Sequence, residues 1–412
     1  MNMKSAIRNK VLYFIRGLFF IIILGSCSSP ENNNVHHSNN DDKPIPGAWQ
    51  TDMYFHLLKD KRVAVAGNHT SMVKDVHLVD TLLNSGINVV KVFSPEHGFR
   101  GHAAAGEVIR SETDKKTGLP VISLYGSSRR PNPFHLSDVD IIIFDIQDVG
   151  TRFYTYISTM TYIMEAAAST GVPVLILDRP NPNGHYIDGP VLKPEYASFV
   201  GLHPVPVVHG MTIGEYALMV NNMGWLGKDL NCEISIITVK NYDHNTFYEP
   251  PISPSPNLPN IKSVYLYPSL CLFEGTPISV GRGTDFPFQV FGHSLLPENH
   301  FSFTFKPESR RAAPNPPELN KLCFGKDLRK NSIEELRATR YIDLSYLIEA
   351  YKHFPEKEFF FNDFFNLLAG SKRLQEQIKN NIPPEEIRKS WQEDINNFKK
   401  IRRKFLLYPD FE

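Results

Sequence analysis

From about Met53 the chain alternates short apolar runs of strand length with longer amphipathic stretches. Residues 62–66 (RVAVA), 87–93 (INVVKVF), 119–124 (LPVISL), 139–144 (VDIIIF) and 172–177 (VPVLIL) are rich in β-branched residues and nearly continuous in apolar character. That is the pattern of strands buried on both faces. Between them, residues 73–84 and 156–168 place apolar side chains near helical spacing, and a helix over 213–223 and a strand over 233–239 continue the alternation. The order predicts an α/β fold with a Rossmann-like parallel sheet and right-handed crossovers. Thr212-Ile213-Gly214-Glu215 fits the capping box at the start of a helix, so Glu215 is expected to be structural.

Polar clusters fall just past the apolar runs: residues 67–70 (GNHT), 94–98 (SPEHG), 145–152 (DIQDVGTR) and 178–183 (DRPNPN). In a parallel sheet the carboxyl ends of the strands share one edge, where ligands bind. Four segments distant in sequence are therefore expected to converge. Beyond residues 250–259 (PPISPSPNLP), a proline-dense connector, the helical period weakens over 266–292, and a charged, helix-prone tail follows over 332–337, 343–351 and 383–405. The expected division is a Rossmann-like domain over 49–258 and a smaller α+β domain over 259–412.

Composition narrows the function. The 412 residues hold 44 Lys and Arg against 44 Asp and Glu, with 42% hydrophobic residues. A neutral globular chain without a basic run in its body gives no reason to expect nucleic acid. The first residues depart from this balance. Lys4, Arg8, Lys10 and Arg16 precede an apolar stretch over 17–25 (GLFFIIILG) that is too short to span a bilayer. Leu24-Gly25-Ser26-Cys27 resembles the bacterial lipobox, which implies an exported protein lipidated at Cys27 and held at a membrane on the periplasmic face or in the cell envelope. The polar run after Cys27 is expected to be a disordered tether over 28–48. Cys232, Cys271 and Cys323 are widely spaced, odd in number and outside any CxxC pattern, and are expected to be buried thiols rather than metal ligands.

Neither GxGxxG nor GxxxxGK[ST] occurs, nor G-x-S-x-G, nor HExxH. Dinucleotide, P-loop, serine-nucleophile and zincin chemistries lose support, and neither cofactor nor metal is expected. What remains is carboxylates, histidines and arginines in strand-end loops. Glu96, stiffened by Pro95 and followed by His97 and Gly98, is the sharpest candidate. A partly desolvated acid there could protonate a leaving oxygen, or it could cap a helix or pair with Arg100. Asp145, Asp148 and Asp178 could serve as a base or second carboxylate, and equally as helix caps. Arg152, Arg179 and Arg282 present forks suited to a carboxylate ligand or to interdomain ion pairs. His209 suits substrate or a satisfied interior, and residues 178–183 and 255–257 could offer amides to sugar hydroxyls.

Six segments taken together carry a resemblance: 94–101 (SPEHGFRG), 144–156 (FDIQDVGTRFYTY), 177–184 (LDRPNPNG), 207–215 (VVHGMTIGE), 255–260 (SPNLPN) and 273–289 (FEGTPISVGRGTDFPFQ). In this order they resemble the bacterial exo-β-N-acetylmuramidase family. The resemblance implies a two-domain protein with its site in the interdomain cleft, releasing N-acetylmuramic acid from the non-reducing ends of peptidoglycan fragments. It implies Glu96 as catalytic acid; Glu274, Asp148 and Asp285 lie in matching segments as candidates for the second carboxylate, Glu274 ranked first because its loop from the second domain could face the sheet edge. His97, Arg152, Arg179, Asn181, His209, Asn257, Arg282 and Asp285 lie in or beside the matching segments as substrate contacts. Two rivals stand beside it: a metal-dependent hydrolase of wall amide or acetyl groups using His97, Asp145 and His209, and a non-catalytic lipoprotein that captures muropeptides.

Overall fold

The computed structural model describes residues 43–96, 98–100, 112–126 and 128–412. The leader, Cys27, most of the expected tether and His97 lie outside the described residues. In chain order the strands are β1 Val63–Gly67, β2 Met72–Val73, β3 Val76–His77, β4 Val89–Ser94, β5 Glu112–Thr113, β6 Pro120–Ser123, β7 Ile141–Asp145, β8 Val174–Leu177, β9 Ile234–Ile237, β10 Val290–His293, β11 Phe303–Phe305 and β12 Cys323–Asp327.

The main sheet runs β5-β6-β4-β1-β7-β8-β9. All neighbours pair in parallel except β5 with β6. Taken without β5, the parallel strands stand in the order 3-2-1-4-5-6 of the dinucleotide-binding sheets, which is the predicted α/β topology, with the chain reversing direction between β1 and β7. Alternation along the central strands divides the apolar residues between two cores. Val63, Val65, Ile141, Ile143, Leu175 and Leu177 face one side, where the helix Leu78–Asn84 packs. Ala64, Ala66, Ile142, Phe144, Val174 and Ile176 face the other, a core continuous with Phe273, Phe288 and Phe365 from the chain's second half. There a small antiparallel sheet, β10-β12-β11, carries the α+β part.

Three expectations need correction. Residues 73–84 are not one helix: β2 and β3 form a tight hairpin through Lys74, whose φ is +54°, and the helix starts only at Leu78 behind a His77 cap. Residues 43–48 are not tether. Ile45 pairs with Lys240, Gly47 N donates to Asp178 O at 2.8 Å, and Ala48 is fully buried. A Cβ on Gly47 would come within 2.3 Å of Ile237 O, so only glycine lets this segment lie against the sheet. The weak helical period over 266–292 overlaps the end of a helix, Ile261–Leu270, which contains Pro268 and opens on an Asn260/Ser263 capping box. The tail over 383–405 is two helices, Pro384–Lys389 and Gln392–Arg402.

Candidate active site

Glu96 follows β4 directly and is half-buried. It lines two adjoining cavities, one of about 390 Å³ and one of about 640 Å³, whose walls share Glu96, Glu274, Arg282 and Phe364. These four residues form the waist of one cleft. The smaller cavity is walled by strand-end loops after β4, β6 and β7 (Glu96, Tyr125, Arg129, Thr155) and faced by Asn257, Tyr267 and Phe288. Its floor is aromatic. Tyr267 meets Phe153, Tyr154 and Phe288 edge-on with ring centroids 5.0–5.8 Å apart, a platform that can pack against a sugar ring while Asn257 and Thr155 supply polar atoms. The larger cavity is bounded by Thr276, Ile278 and Val280 and by residues 312–317.

The two waist carboxylates have different surroundings. Tyr125 lines the same cavity wall as Glu96, and burial together with the Glu96 charge pushes its phenol above the ordinary range. Glu274 sits in the 3-10 turn Cys271–Gly275 and is clamped by Arg282. Arg282 Nε donates to Glu274 Oε1 at 2.8 Å, Nη2 donates to the same oxygen, and Cys271 Sγ approaches Oε2 at 3.6 Å. Burial disfavours the Arg282 charge, but Glu274 outweighs it and holds the guanidinium above its usual range. The turn is set by close packing: a Cβ on Gly275 would lie 2.3 Å from the Phe365 Cα, so the turn seats directly on the helix Asp363–Ala369. That helix carries Phe364 and Leu367 into the cleft wall.

Asn257 lines the cleft as expected, its Nδ2 reaching Ala312 O at 3.2 Å. Other expected contacts are placed elsewhere, for reasons visible in their bonds. Arg152 is fully buried; its guanidinium donates to Pro190 O, Val205 O and Leu368 O at 2.7–2.8 Å. It braces the last turn of the helix Asp363–Ala369 from behind, where a cation suits the exposed carbonyls. Arg179 is paired bidentately with Asp145 in the interior. Asn181 donates to Met211 O, and His209 is wholly buried with its Nε2 unpartnered; burial and the nearby Arg402 and Arg152 depress it to about 3. Asp285 is exposed and pairs with Arg310 outside the cleft. Asp178 caps the helix Ile213–Asn222 through Gly214 N and bonds Thr212 and Tyr408. Glu215, as expected, is structural, taking Thr212 N, His244 and Leu407 N.

Asp148 also faces inward. It accepts Gly150 N at 2.7 Å, leaves Oδ1 unpartnered, and is pushed up to about 7 by burial. Because this value lies above the ordinary 3.8, the native state keeps a proton that the unfolded chain has released between those two pH values. The contribution to stability is whole below about pH 4 and lost as pH rises through 7. Asp148→Asn is therefore expected to gain on wild type across that window, by roughly 1.4 kcal/mol per pH unit at the steepest, in denaturant melts run from pH 4 to 7. Parallel pH profiles for the two proteins would count against it.

The strand-end convergence is thus shifted. Loops after β1 and β8 are both bonded to the loop after β7 in the interior, by Gln147 N to Thr70 Oγ1 and Gln147 Nε2 to Pro180 O. The loop after β6, with Tyr125 and Arg129, reaches the cleft instead. Its signal was available, since β6 ends at the same edge as its parallel neighbours and is followed by a polar stretch, LYGSSRRPN, over 124–132. Among the described residues no three His, Cys, Asp or Glu side chains group to hold a metal, and no helix is long and apolar enough to cross a membrane. Cys232, Cys271 and Cys323 are buried free thiols.

A Rossmann-order sheet joined to a smaller α+β part, with two carboxylates lining one cleft, defines the class: an α/β protein with a candidate site for a glycan. The particular family follows from comparison. Residues 63–262 match the family description "Exo-beta-N-acetylmuramidase NamZ, N-terminal", and residues 265–408 match its C-terminal counterpart. The chain belongs to this family. It is 40% identical over 374 residues to the peptidoglycan β-N-acetylmuramidase NamZ of Bacillus subtilis (strain 168), covering 86% of this chain and 89% of that protein. Two crystal structures of DUF1343 family proteins from Bacteroides fragilis NCTC 9343 are similar, each covering 89% of this chain and 99% of its own. One has a TM-score of 0.83 at 49% identity and the other 0.74 at 28%.

Proposed function

We propose that this protein is an exo-acting glycoside hydrolase that releases N-acetylmuramic acid from the non-reducing ends of peptidoglycan fragments. The observation that carries the reading is the waist itself, where Glu96 and the Glu274–Arg282 pair stand between two cavities, in a chain of the exo-β-N-acetylmuramidase family. The 390 Å³ side has room for one N-acylated sugar, and the larger side takes the rest of the fragment. The scissile bond then lies at the waist. Glu96 gives its proton to the glycosidic oxygen as the bond to the anomeric carbon breaks, and water supplies the hydroxyl that the released sugar gains. Glu274, its charge matched by Arg282, is the second carboxylate facing the positive charge that develops on the ring. Tyr125 and Asn257 face the sugar from the same cavity as Glu96.

A lipid on Cys27 would hold the enzyme at the membrane, in the cell envelope where wall fragments arise. Product analysis of wall digests tests both parts. Free N-acetylmuramic acid appearing one residue at a time, without added metal, is expected from wild type and Cys27→Ala alike, with only wild type sedimenting with membranes. Products that keep the sugar and lose only an amide or acetyl group would favour the metal-dependent reading, in which Asp145 would have to leave Arg179. Tight binding without any product would favour a capture protein. A soluble wild type would remove the anchor.

A further inference from the structure

We propose that Arg129 is the residue that distinguishes N-acetylmuramic acid from other N-acetylated sugars, by binding the lactyl carboxylate; this rests on the muramidase reading and deepens it. The substrate sugar differs from N-acetylglucosamine by one lactyl ether on O3, which ends in a carboxylate. A protein that selects it needs a cation in the smaller cavity that is not already neutralised. Of the arginines considered from sequence, Arg152 and Arg179 are interior, and Arg282 is consumed by Glu274. Arg129 lines the smaller cavity, and among the described residues no carboxylate pairs with it. Its neighbour Arg130 has the opposite fate, being paired with Glu165 and set over Tyr162.

The posture of Arg129 fits the task. Its guanidinium lies over the Phe199 ring at 4.2 Å, and Phe199 stacks in turn on Tyr162 with an interplanar angle of 14°. A guanidinium held by its face keeps its edge N–H groups free, and that edge is what matches a carboxylate bidentately. Position agrees as well. Arg129, Tyr125 and Glu96 line the same cavity, two of them on the loop after β6. In the sugar, O3 lies within one ring's width of the anomeric carbon, so a cation for the lactyl carboxylate belongs in the same cavity as the proton donor at C1.

The test compares wild type, Arg129→Ala and Arg129→Gln on two sugars and by two readouts. Calorimetry measures the binding of free N-acetylmuramic acid and of N-acetylglucosamine. Kinetics use the 4-nitrophenyl β-glycosides of the same pair. Loss of a charge-assisted bidentate contact is expected to weaken N-acetylmuramic acid about 10- to 100-fold. The loss should appear in KM more than in kcat, while N-acetylglucosamine binding stays within about 2-fold. An equal loss on both sugars, no loss on either, or a wild type without preference for the lactyl sugar would each overturn the assignment. If wild type binds the lactyl sugar selectively but cleaves neither glycoside, the hydrolase reading falls, and the calorimetric comparison still decides Arg129.

Discussion

Replacing Glu96 by Gln is expected to lower kcat on a fragment with a sugar leaving group by about 10²- to 10⁴-fold, the range a positioned proton donor supplies. Gln keeps the shape of the side chain at a half-buried position and leaves no charge stranded, so the melting transition should not move. The diagnostic feature is the dependence on leaving group. A 4-nitrophenolate departs without a proton, so the same substitution should cost much less with that aglycone than with a sugar. Steady-state kinetics on the two substrate types check this. Equal losses on both would assign Glu96 to binding or to attack at the anomeric carbon, and full activity on the natural fragment would remove it from the chemistry.

The second large effect is on stability. Arg179→Met is expected to destabilise the fold by about 3–5 kcal/mol, because Asp145, with no exposed surface, would be left as an unpaired buried charge. Changing both partners together, Asp145→Leu with Arg179→Met, should recover much of that loss, since replacing a buried ion pair by apolar side chains is often near neutral. Denaturant melts of the two single variants and the double variant measure the coupling. Additive losses would show that the pair is not what holds these residues. A catalytic role for either would instead appear as lost turnover in a protein of undiminished stability.

These two cases mark how far the chain could be read before its fold was known. The strands were legible because buried runs such as residues 139–144 have few other uses, and the Thr212/Glu215 capping box because its bonds span only three residues. Glu96 and Glu274 were legible as candidates, since a strand end and a family segment brought them forward. Arg152 and Arg179 were not separable from Arg282 in that way. An arginine in a loop has the same chemistry whether it faces a ligand or a carbonyl, and the partners that decide the matter are remote: Leu368 is 216 positions from Arg152. Arg129 is not distinguishable from Arg130 in sequence, because its posture depends on Phe199, seventy residues on. The break before Leu78 was hidden because apolar spacing at Val73 and Val76 serves a hairpin as well as a helix.

The helix Asp363–Ala369 is fixed near both ends, by the Arg152 guanidinium on its last turn and by the glycine contact at Phe365 in its first. Such a wall has little freedom to yield, so the hollow beside it behaves as a mould. Affinity for inhibitors should then follow how well a rigid, ring-flattened sugar mimic fills the space, with little reward for flexible substituents that would need the wall to retreat.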